Sequence, residues 1–222
     1  MDSKSQKILI EQVTRLQGRP FTPPTSDDMV KEAKRFREAF LSVEPRFDAA
    51  KADRDILNSI FAWVWKDDSC NTLGFDYNKG LYFYGSLGLG KSITLKALQQ
   101  YMNDLKRRDY KDWRLGMWWK SASELANLYA CKGQPALISY ATDNLCIDEL
   151  GREPIPALNY GTPMNVLQFL FQLRYDRRKE FLTHVTTNLE IDKIAPLYGD
   201  YIADRFLEMF NFVEFKGKSL RR

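Results

Sequence analysis

The stretch LYFYGSLGLGKSITL, residues 81–95, carries the strongest structural signal in the sequence. Its apolar start predicts a buried strand, its end predicts a helix, and between them lies the pattern G-x-x-x-x-G-K-[ST]. The glycines allow the backbone to form a nest of N–H groups, which binds phosphate oxygens together with the N-terminus of the helix. The predicted phosphate site consists of Gly85, Ser86, Leu87, Gly88, Leu89, Gly90, Lys91, Ser92 and Ile93. The alternative is a glycine-rich turn without a ligand.

Two side chains at the end of this pattern have predicted roles at a bound nucleotide. Lys91 reaches the β- and γ-phosphates, and we expect it to be otherwise unpaired. The Ser92 hydroxyl is a ligand for Mg²⁺. The pattern therefore predicts a nucleotide site that uses Mg²⁺ as a cofactor.

The composition indicates a globular protein with a weak basic excess. The 222 residues are enough for one α/β domain and a short extension. Hydrophobic residues make up 44% of the chain, so we expect a packed core rather than disorder. The net charge of +4 permits nucleic acid as a partner but does not favour it.

The sequence carries no signal for export or membrane insertion. No apolar run is long enough to span a bilayer, and the first residues lack the apolar core of a signal peptide. The three cysteines share no metal-ligand spacing, and Cys146 lies in an apolar run, which predicts a reduced, buried thiol. The single histidine, His184, excludes a histidine-based metal cluster. We therefore expect a cytoplasmic protein without a membrane partner.

The sequence of residues 1–74 predicts a helical extension. It precedes the P-loop, which is the phosphate-binding pattern at residues 85–92, and the strand and helix on either side of it. A linker rich in Gly and Pro, residues 18–24, follows a short predicted helix over 6–16. Ser26 is predicted to cap a second helix, and a third is predicted over 47–66. The apolar face of the second helix is formed by Met29, Ala33, Phe36 and Phe40. Its basic face is either a DNA contact or, more commonly, a solvated surface.

Strands and helices alternate from residue 81 to the end of the chain. The predicted strands cover residues 81–84, 115–119, 144–147, 181–186 and 212–215. Residues 151–162 are predicted to be a loop, and Thr162 is predicted to cap a helix with Pro163 at its first position. A late helix is predicted over 199–210. This alternation predicts a mostly parallel sheet that is covered by helices on both faces.

Two carboxylates, Asp148 and Glu149, close the third apolar run. The carboxyl ends of parallel strands meet at one edge of a sheet, so both lie beside the P-loop. There Asp148 can hold Mg²⁺, and Glu149 can polarise the attacking water. The alternative is an acidic strand end that caps the next turn.

Two further polar residues have suitable positions for nucleotide chemistry. Asn188 ends the fourth strand, where an amide can bond the γ-phosphate or the attacking water; Asn is also a common turn residue. Arg205 lies on the late helix, and an arginine suits γ-phosphate stabilisation from a neighbouring subunit. A surface ion pair with Asp204 or Glu208 is the alternative.

Together these motifs resemble the DnaC/IstB-like AAA+ ATPases, which are helicase loaders and transposition helpers. The resemblance rests on residues 85–92, 145–151, 174–175, 183–189, 203–207 and 217–221. It covers about residues 75–221, so we expect an AAA+ domain over 75–222 behind the extension. It implies a five-stranded parallel sheet of the ASCE type, with the fourth strand between the P-loop strand and the Asp148 strand. Only seven residues follow Phe215, so the lid is expected to be small or absent, and whether Arg221 or Arg222 substitutes for its arginine stays open.

The resemblance also implies roles for the site residues. The implied assignments are Lys91 and Ser92 in Walker A, Asp148 and Glu149 in Walker B, Asn188 as sensor 1, and Arg205 as the arginine finger. ATP as the nucleotide follows from the family alone. In such loaders the N-terminal segment contacts the partner protein, so residues 1–74 are the expected partner-binding segment.

The leading functional prediction is an ATP-hydrolysing replication accessory protein of the helicase-loader type. It would act as a homo-oligomer on DNA, expected to be single-stranded and contacted through its backbone, with a replicative helicase or a transposase as partner. Candidate cations for this contact are Lys106, Arg107, Arg108, Lys120 and Lys132. A transposition helper ATPase, a P-loop kinase and a nucleotide-gated interaction module are the alternatives. A kinase needs an acceptor pocket, whereas the adjacent carboxylates favour water as the acceptor.

Overall fold

A computed structural model describes residues 19–20, 25–217 and 219. Its strands are β1 (Arg19–Pro20), β2 (Gly80–Gly85), β3 (Tyr110–Lys111), β4 (Met117–Ser121), β5 (Asn144–Leu150), β6 (Ala157–Asn159), β7 (Thr162–Met164), β8 (Thr183–Thr187) and β9 (Phe210–Phe215). Its helices are α1 (Ser26–Val43), α2 (Arg54–Trp65), α3 (Lys91–Arg107), α4 (Ala122–Lys132), α5 (Pro135–Ile138), α6 (Val166–Asp176), α7 (Ile194–Tyr198) and α8 (Asp200–Met209). The predicted helix over 6–16, as well as Arg221 and Arg222, lies outside the described residues. In the predicted linker only β1 is described.

Five parallel strands form the central sheet, in the order β4-β5-β8-β2-β9. β8 therefore lies between the P-loop strand β2 and the acidic strand β5, as the resemblance implied. The register aligns Val185 of β8 with Tyr82 of β2 and with Ile147 of β5. All five strands point the same way, so the segments that follow β2, β5 and β8 meet at one edge of the sheet.

Each face of the sheet carries its own hydrophobic core. Side chains of α1, α2 and α3 form one core, which includes the buried Phe40, Trp63 and Leu98. Side chains of α4, α6 and α8 form the other, which includes Phe171 and Phe206. The sheet is thus covered on both faces, as predicted. The helices of the predicted extension that can be described share their core with the P-loop helix.

The inner side of α1 contains a buried charge that the apolar pattern did not predict. Ala33 is exposed, whereas Glu32 is only 3% exposed. Glu32 accepts hydrogen bonds from Arg108 at 2.7 and 2.8 Å and from the Tyr101 hydroxyl at 2.8 Å. Burial by itself would raise the pKa of Glu32, but the bonds from Arg108 and Tyr101 hold it below its usual value. This network fixes α1 on α3.

Two helix starts near the N-terminus differ from the prediction. α1 has Thr25 rather than Ser26 at its N-cap, and Ser26 is its first helical residue. α2 begins at Arg54 instead of residue 47, because the Asp53 carboxylate accepts the backbone N–H groups of Asp55 and Ile56. Residues 44–53 are consequently free of helix and form a connecting segment beside the P-loop.

The predicted loop over residues 151–162 contains two short strands in its second half, and the predicted helix cap at Thr162 is wrong. β6 and β7 pair as an antiparallel hairpin, and α6 begins at Val166 with Asn165 as its N-cap. The turn consists of Tyr160 and Gly161, both with positive φ (45° and 84°), which matches the twist of a two-residue hairpin. Pro163 in β7 is tolerated because a two-stranded edge pair does not need a backbone N–H from every residue.

Among the described residues, no helix is long and apolar enough to cross a membrane.

Candidate functional site

The P-loop has the backbone geometry that phosphate binding requires. Gly88 and Gly90 have φ values of 81° and 87°, a backbone region that residues with a side chain rarely adopt. Gly90 is also the N-cap of α3. The N–H groups of this turn and of the first helical residues are therefore available to an anion at the N-terminus of α3. The predicted nest is consistent with this backbone.

Lys91 contacts the loop that precedes it. Lys91 is 7% exposed, and its ammonium donates to the backbone oxygens of Gly85 at 2.6 Å and Ser86 at 2.7 Å. The prediction that Lys91 is otherwise unpaired is wrong, because the folded loop brings two carbonyl oxygens within reach of its flexible side chain. Lys91 also lines the cavity beside the P-loop.

The two predicted Mg²⁺ ligands are in direct contact. The Ser92 hydroxyl donates to Asp148 Oδ1 at 2.7 Å, and the Thr186 hydroxyl donates to the same oxygen. One carboxylate and one hydroxyl suit Mg²⁺, which keeps several waters and binds few protein oxygens. The described part of the chain has no group of three His, Cys, Asp or Glu residues that could hold a metal.

Glu149 lies in a distorted part of β5. Its φ is 57°, and the strand register shifts between Ile147 and Leu150. The backbone N–H of Glu149 donates to the Thr186 hydroxyl at 3.1 Å, so Thr186 connects both acidic residues to β8. The carboxylate is 45% exposed and lies 3.3 Å from Arg152. A bulge of this kind re-aims a side chain, and Glu149 lines the cavity beside the P-loop.

This cavity measures about 550 Å³ and brings together residues from four parts of the chain. Its walls include Lys91 and Ser92, Glu149, the exposed Asn188, and the segment between α1 and α2. That segment contributes Glu44, Arg46, Phe47, Asp48 and Lys51. The volume of the cavity is within the usual range for ligand pockets, about 300–1,000 Å³. Neither this wall nor Thr186 was predicted from the sequence. The signal for Thr186 is its position two residues before Asn188, on the same strand.

Arg205 does not line this cavity in the described structure. Its guanidinium lies between two aromatic rings, 4.0 Å from the centroid of Tyr175 and 3.5 Å from that of Tyr201. The alternative of a surface ion pair is not observed within the described ranges. Glu208 instead binds Arg178 at 2.7 Å. The rings hold the charged group without neutralising it.

Comparisons with known proteins identify the architecture. No family model and no curated protein matches the chain. Among solved structures, a putative primosome component from Streptococcus pyogenes serotype M3 has a TM-score of 0.54 at 17% identity, over 79% of this chain and 88% of its own. The DnaC helicase loader has a TM-score of 0.52 at 17% identity, over 78% and 96%. DnaI has a TM-score of 0.54 at 18% identity, over 83% and 93%.

The chain has the AAA+ fold. The five-stranded parallel sheet with flanking helices is the architecture that these neighbours share, and the resemblance to helicase-loader AAA+ proteins is confirmed at the level of the fold. The replication initiator DnaA, in a structure with AMPPCP and single-stranded DNA, also has this fold. Its TM-score is 0.50 at 17% identity, over 78% of this chain and 49% of DnaA.

Proposed function

We propose that this protein is a Mg²⁺-dependent ATPase of the helicase-loader type that acts on single-stranded DNA as a homo-oligomer. One observation supports the proposal above all others. A single cavity is lined by the P-loop lysine, the Walker A serine, the bulged Glu149 and Asn188, with Asp148 bonded to that serine. This is the set of groups that positions a triphosphate and an attacking water. The neighbours DnaC and the putative primosome component favour a loader over a transposition helper.

The chain supplies each part of the hydrolytic step from a different element. The nest and Lys91 bind the phosphates. Ser92 and Asp148 would hold Mg²⁺, which would supply positive charge to the phosphates of the bound nucleotide. The Glu149 carboxylate accepts a hydrogen bond from the water and polarises it for attack. Asn188 donates its amide to the γ-phosphate without adding charge. Positioning and electrostatics account for catalysis of this kind.

The segment between α1 and α2 is proposed to bind the base and ribose. It lines the same cavity as Glu149 and Asn188, and the Phe47 ring packs on Phe40 with 4.6 Å between ring centroids. A ring fixed in this way provides an apolar surface for a purine. ATP as the nucleotide is supported by DnaA, which shares the fold and is bound to AMPPCP.

Replacing Lys91 with alanine is expected to weaken nucleotide binding at least tenfold while the protein stays folded. A desolvated charged contact contributes at least ~1.5 kcal/mol, which corresponds to about a factor of ten in affinity. The affinity for a fluorescent ATP analogue measures the effect. Lys96→Ala is the matched control, because Lys96 lies on the same helix, is exposed and does not line the cavity. An affinity of Lys91→Ala within about twofold of wild type would exclude the phosphate role.

Most of the candidate DNA-binding cations are engaged elsewhere. Arg108 binds Glu32, Arg107 lies 3.6 Å from Asp104, and Lys120 lies 3.4 Å from Glu124. Lys132 has no acidic partner among the residues described. It ends α4, where the β6–β7 hairpin is anchored through a bond of 2.9 Å from Asn159 to the Ala130 oxygen.

The hairpin that is anchored on the last turns of α4 carries an aromatic group at its tip. Tyr160 is 98% exposed at the turn between β6 and β7. A cation for the backbone and a ring for base stacking are the usual elements of a site for single-stranded nucleic acid. We therefore assign the DNA contact to Lys132 and Tyr160, which is also consistent with the DNA-bound DnaA neighbour.

Single-stranded DNA is expected to stimulate ATP hydrolysis, and its affinity is expected to fall steeply with salt. Phosphate contacts release counterions, so Lys132→Ala should reduce the slope of log K against log[salt] by about one. Fluorescence anisotropy with a labelled oligonucleotide measures this slope. Lys31→Ala is the control, since Lys31 lies on α1 and pairs with Asp28. No DNA binding at low salt in the presence of ATP, or a DNA affinity that does not depend on salt, would contradict the proposal. A rate of ATP hydrolysis that DNA does not change would favour the kinase alternative.

A further inference from the structure

A buried carboxylate lies directly behind the proposed catalytic residue. Glu153 is 6% exposed and follows Glu149 by four residues. Its Oε2 accepts the backbone N–H of Gly151 at 2.8 Å, and its Oε1 accepts the Tyr198 hydroxyl at 2.5 Å. It has no basic partner in the part of the chain that the structure describes. Burying a carboxylate without a cation is costly, so packing alone would be served better by an apolar pair.

The partner of this carboxylate, Tyr198, lies two residues before the helix that carries Arg205. Tyr198 is fully buried and ends α7. The next residue, Gly199, has a φ of 87° and is the N-cap of α8. Burial first, and then the charge of Glu153, raises the pKa of Tyr198, so this hydroxyl remains a neutral donor. The contact thus joins the loop after β5 to the end of α7, two residues before the start of the helix that carries Arg205.

The other end of the contact reaches the catalytic edge of the sheet. Gly151 lies two residues after Glu149, and a Cβ on Gly151 would lie 2.5 Å from the Leu189 side chain. Leu189 directly follows Asn188. Movement of the Gly151 backbone is therefore transmitted both to the Glu149 bulge and to the residue after Asn188, because tightly packed groups shift together.

We propose that the buried Glu153–Tyr198 hydrogen bond couples the γ-phosphate edge of the nucleotide site to the helix that presents Arg205. The inference rests on the proposed function and deepens it by adding a regulatory link. Glu153 and Tyr198 are positioning residues: they do not touch the nucleotide, but they fix the Glu149 loop and α8 in one mutual arrangement. Nucleotide binding at one edge then sets the position of the guanidinium offered to the next subunit. Coupling of this kind is an energy shared between two sites.

The test compares two tyrosines that differ in location but not in chemistry. Tyr198→Phe removes the hydroxyl that bonds Glu153. Tyr101→Phe is the matched control, because Tyr101 is also buried and also bonds a buried glutamate, Glu32, but lies far along α3 from the cavity. We expect Tyr198→Phe to lower kcat about tenfold with the nucleotide Kd within about twofold of wild type. Tyr101→Phe should keep wild-type kcat.

Amide hydrogen exchange in α8 measures the coupling between the nucleotide site and this helix without requiring ATP hydrolysis. In the full-length protein, addition of AMPPCP and Mg²⁺ is expected to change exchange at the P-loop and in residues 200–209. In Tyr198→Phe the P-loop response should remain while the α8 response disappears. Tyr101→Phe should show both responses. A merely structural role for Tyr198 would lower the melting temperature but would leave the α8 response intact, and this outcome overturns the proposal.

A second variant separates the hydrogen bond from the charge. In Glu153→Gln the amide oxygen can accept the Gly151 N–H while the amide NH₂ donates to the Tyr198 oxygen, so the link is preserved. We expect this variant to keep kcat within about twofold and to retain the α8 response. A loss as large as that of Tyr198→Phe overturns the inference. Wild-type protein that binds nucleotide and shows the α8 response but does not hydrolyse ATP would refute the proposed function and leave the coupling supported.

Discussion

Glu149→Gln is expected to bind ATP normally and to hydrolyse it at least about a hundredfold more slowly. The amide has nearly the same shape as the carboxylate, but it cannot accept a proton from the attacking water. A positioned general base contributes about 10²–10⁴ in rate. Neither of the hydrogen bonds that fix this part of β5 uses the Glu149 carboxylate: its backbone N–H donates to Thr186, and Asp148 binds Ser92. The bulge should therefore persist in the variant.

Single-turnover hydrolysis and ATP affinity, measured on the same sample, check this prediction. Glu190→Gln is the control, because Glu190 is an exposed glutamate close to Asn188 that does not line the cavity. Unchanged turnover in Glu149→Gln would mean that Glu149 only ends a strand. Loss of ATP binding would instead indicate that Glu149 takes part in holding the metal.

The P-loop and the acidic strand could be predicted because their signals are local. The nest depends on glycine spacing within eight residues, and the carboxylates follow a run whose apolar character marks a buried parallel strand. The order of the strands in the sheet, in contrast, could not be predicted from local signals. No local signal places β8 between β2 and β5; that expectation came from the resemblance, and the sheet confirmed it.

The wrong predictions have two causes, which are contacts between distant parts of the chain and competing local turns and caps. Glu32 is buried because Arg108, 76 residues away, reaches it, and helical periodicity cannot show such a partner. Thr162 and Pro163 have the sequence of a helix start, but Tyr160 and Gly161 adopt positive φ and form a hairpin first. The cavity wall at residues 44–51 likewise depends on how α1 and α2 pack against the P-loop helix.

The position of Arg205 could not be derived from the sequence either, and it leads to the second prediction. Arg205 lies outside the cavity that holds Lys91, yet it is charged and held between two rings. Tyr201, one of these rings, is 56% exposed. A rigidly presented guanidinium on a partly apolar surface suits a contact with the nucleotide of a second copy of the chain.

Arg205→Ala is expected to lower kcat about 10³-fold or more while ATP affinity stays near wild type. An arginine supplied by a neighbour acts on transition-state charge and contributes about 10³–10⁵ in rate. Wild-type turnover per subunit should also rise with protein concentration. Arg178→Ala is the matched control, because Arg178 likewise lies 4.0 Å from the Tyr175 ring but is paired with Glu208. A comparable loss in Arg178→Ala would mean that the aromatic surface, and not the finger, is responsible.

Mixing two inactive variants decides whether Arg205 acts in its own chain or in its neighbour. Lys91→Ala lacks a working phosphate site but still presents Arg205; Arg205→Ala keeps its phosphate site but presents no finger. An assembly of both contains interfaces at which Lys91 comes from one chain and Arg205 from the other, so ATP hydrolysis is expected to recover in part. Each variant alone, at the same total concentration, provides the baseline. If the two variants co-assemble, as shown by light scattering, and the mixture remains inactive, Arg205 acts within its own chain or only in packing, because every complementary interface would then be present without producing turnover.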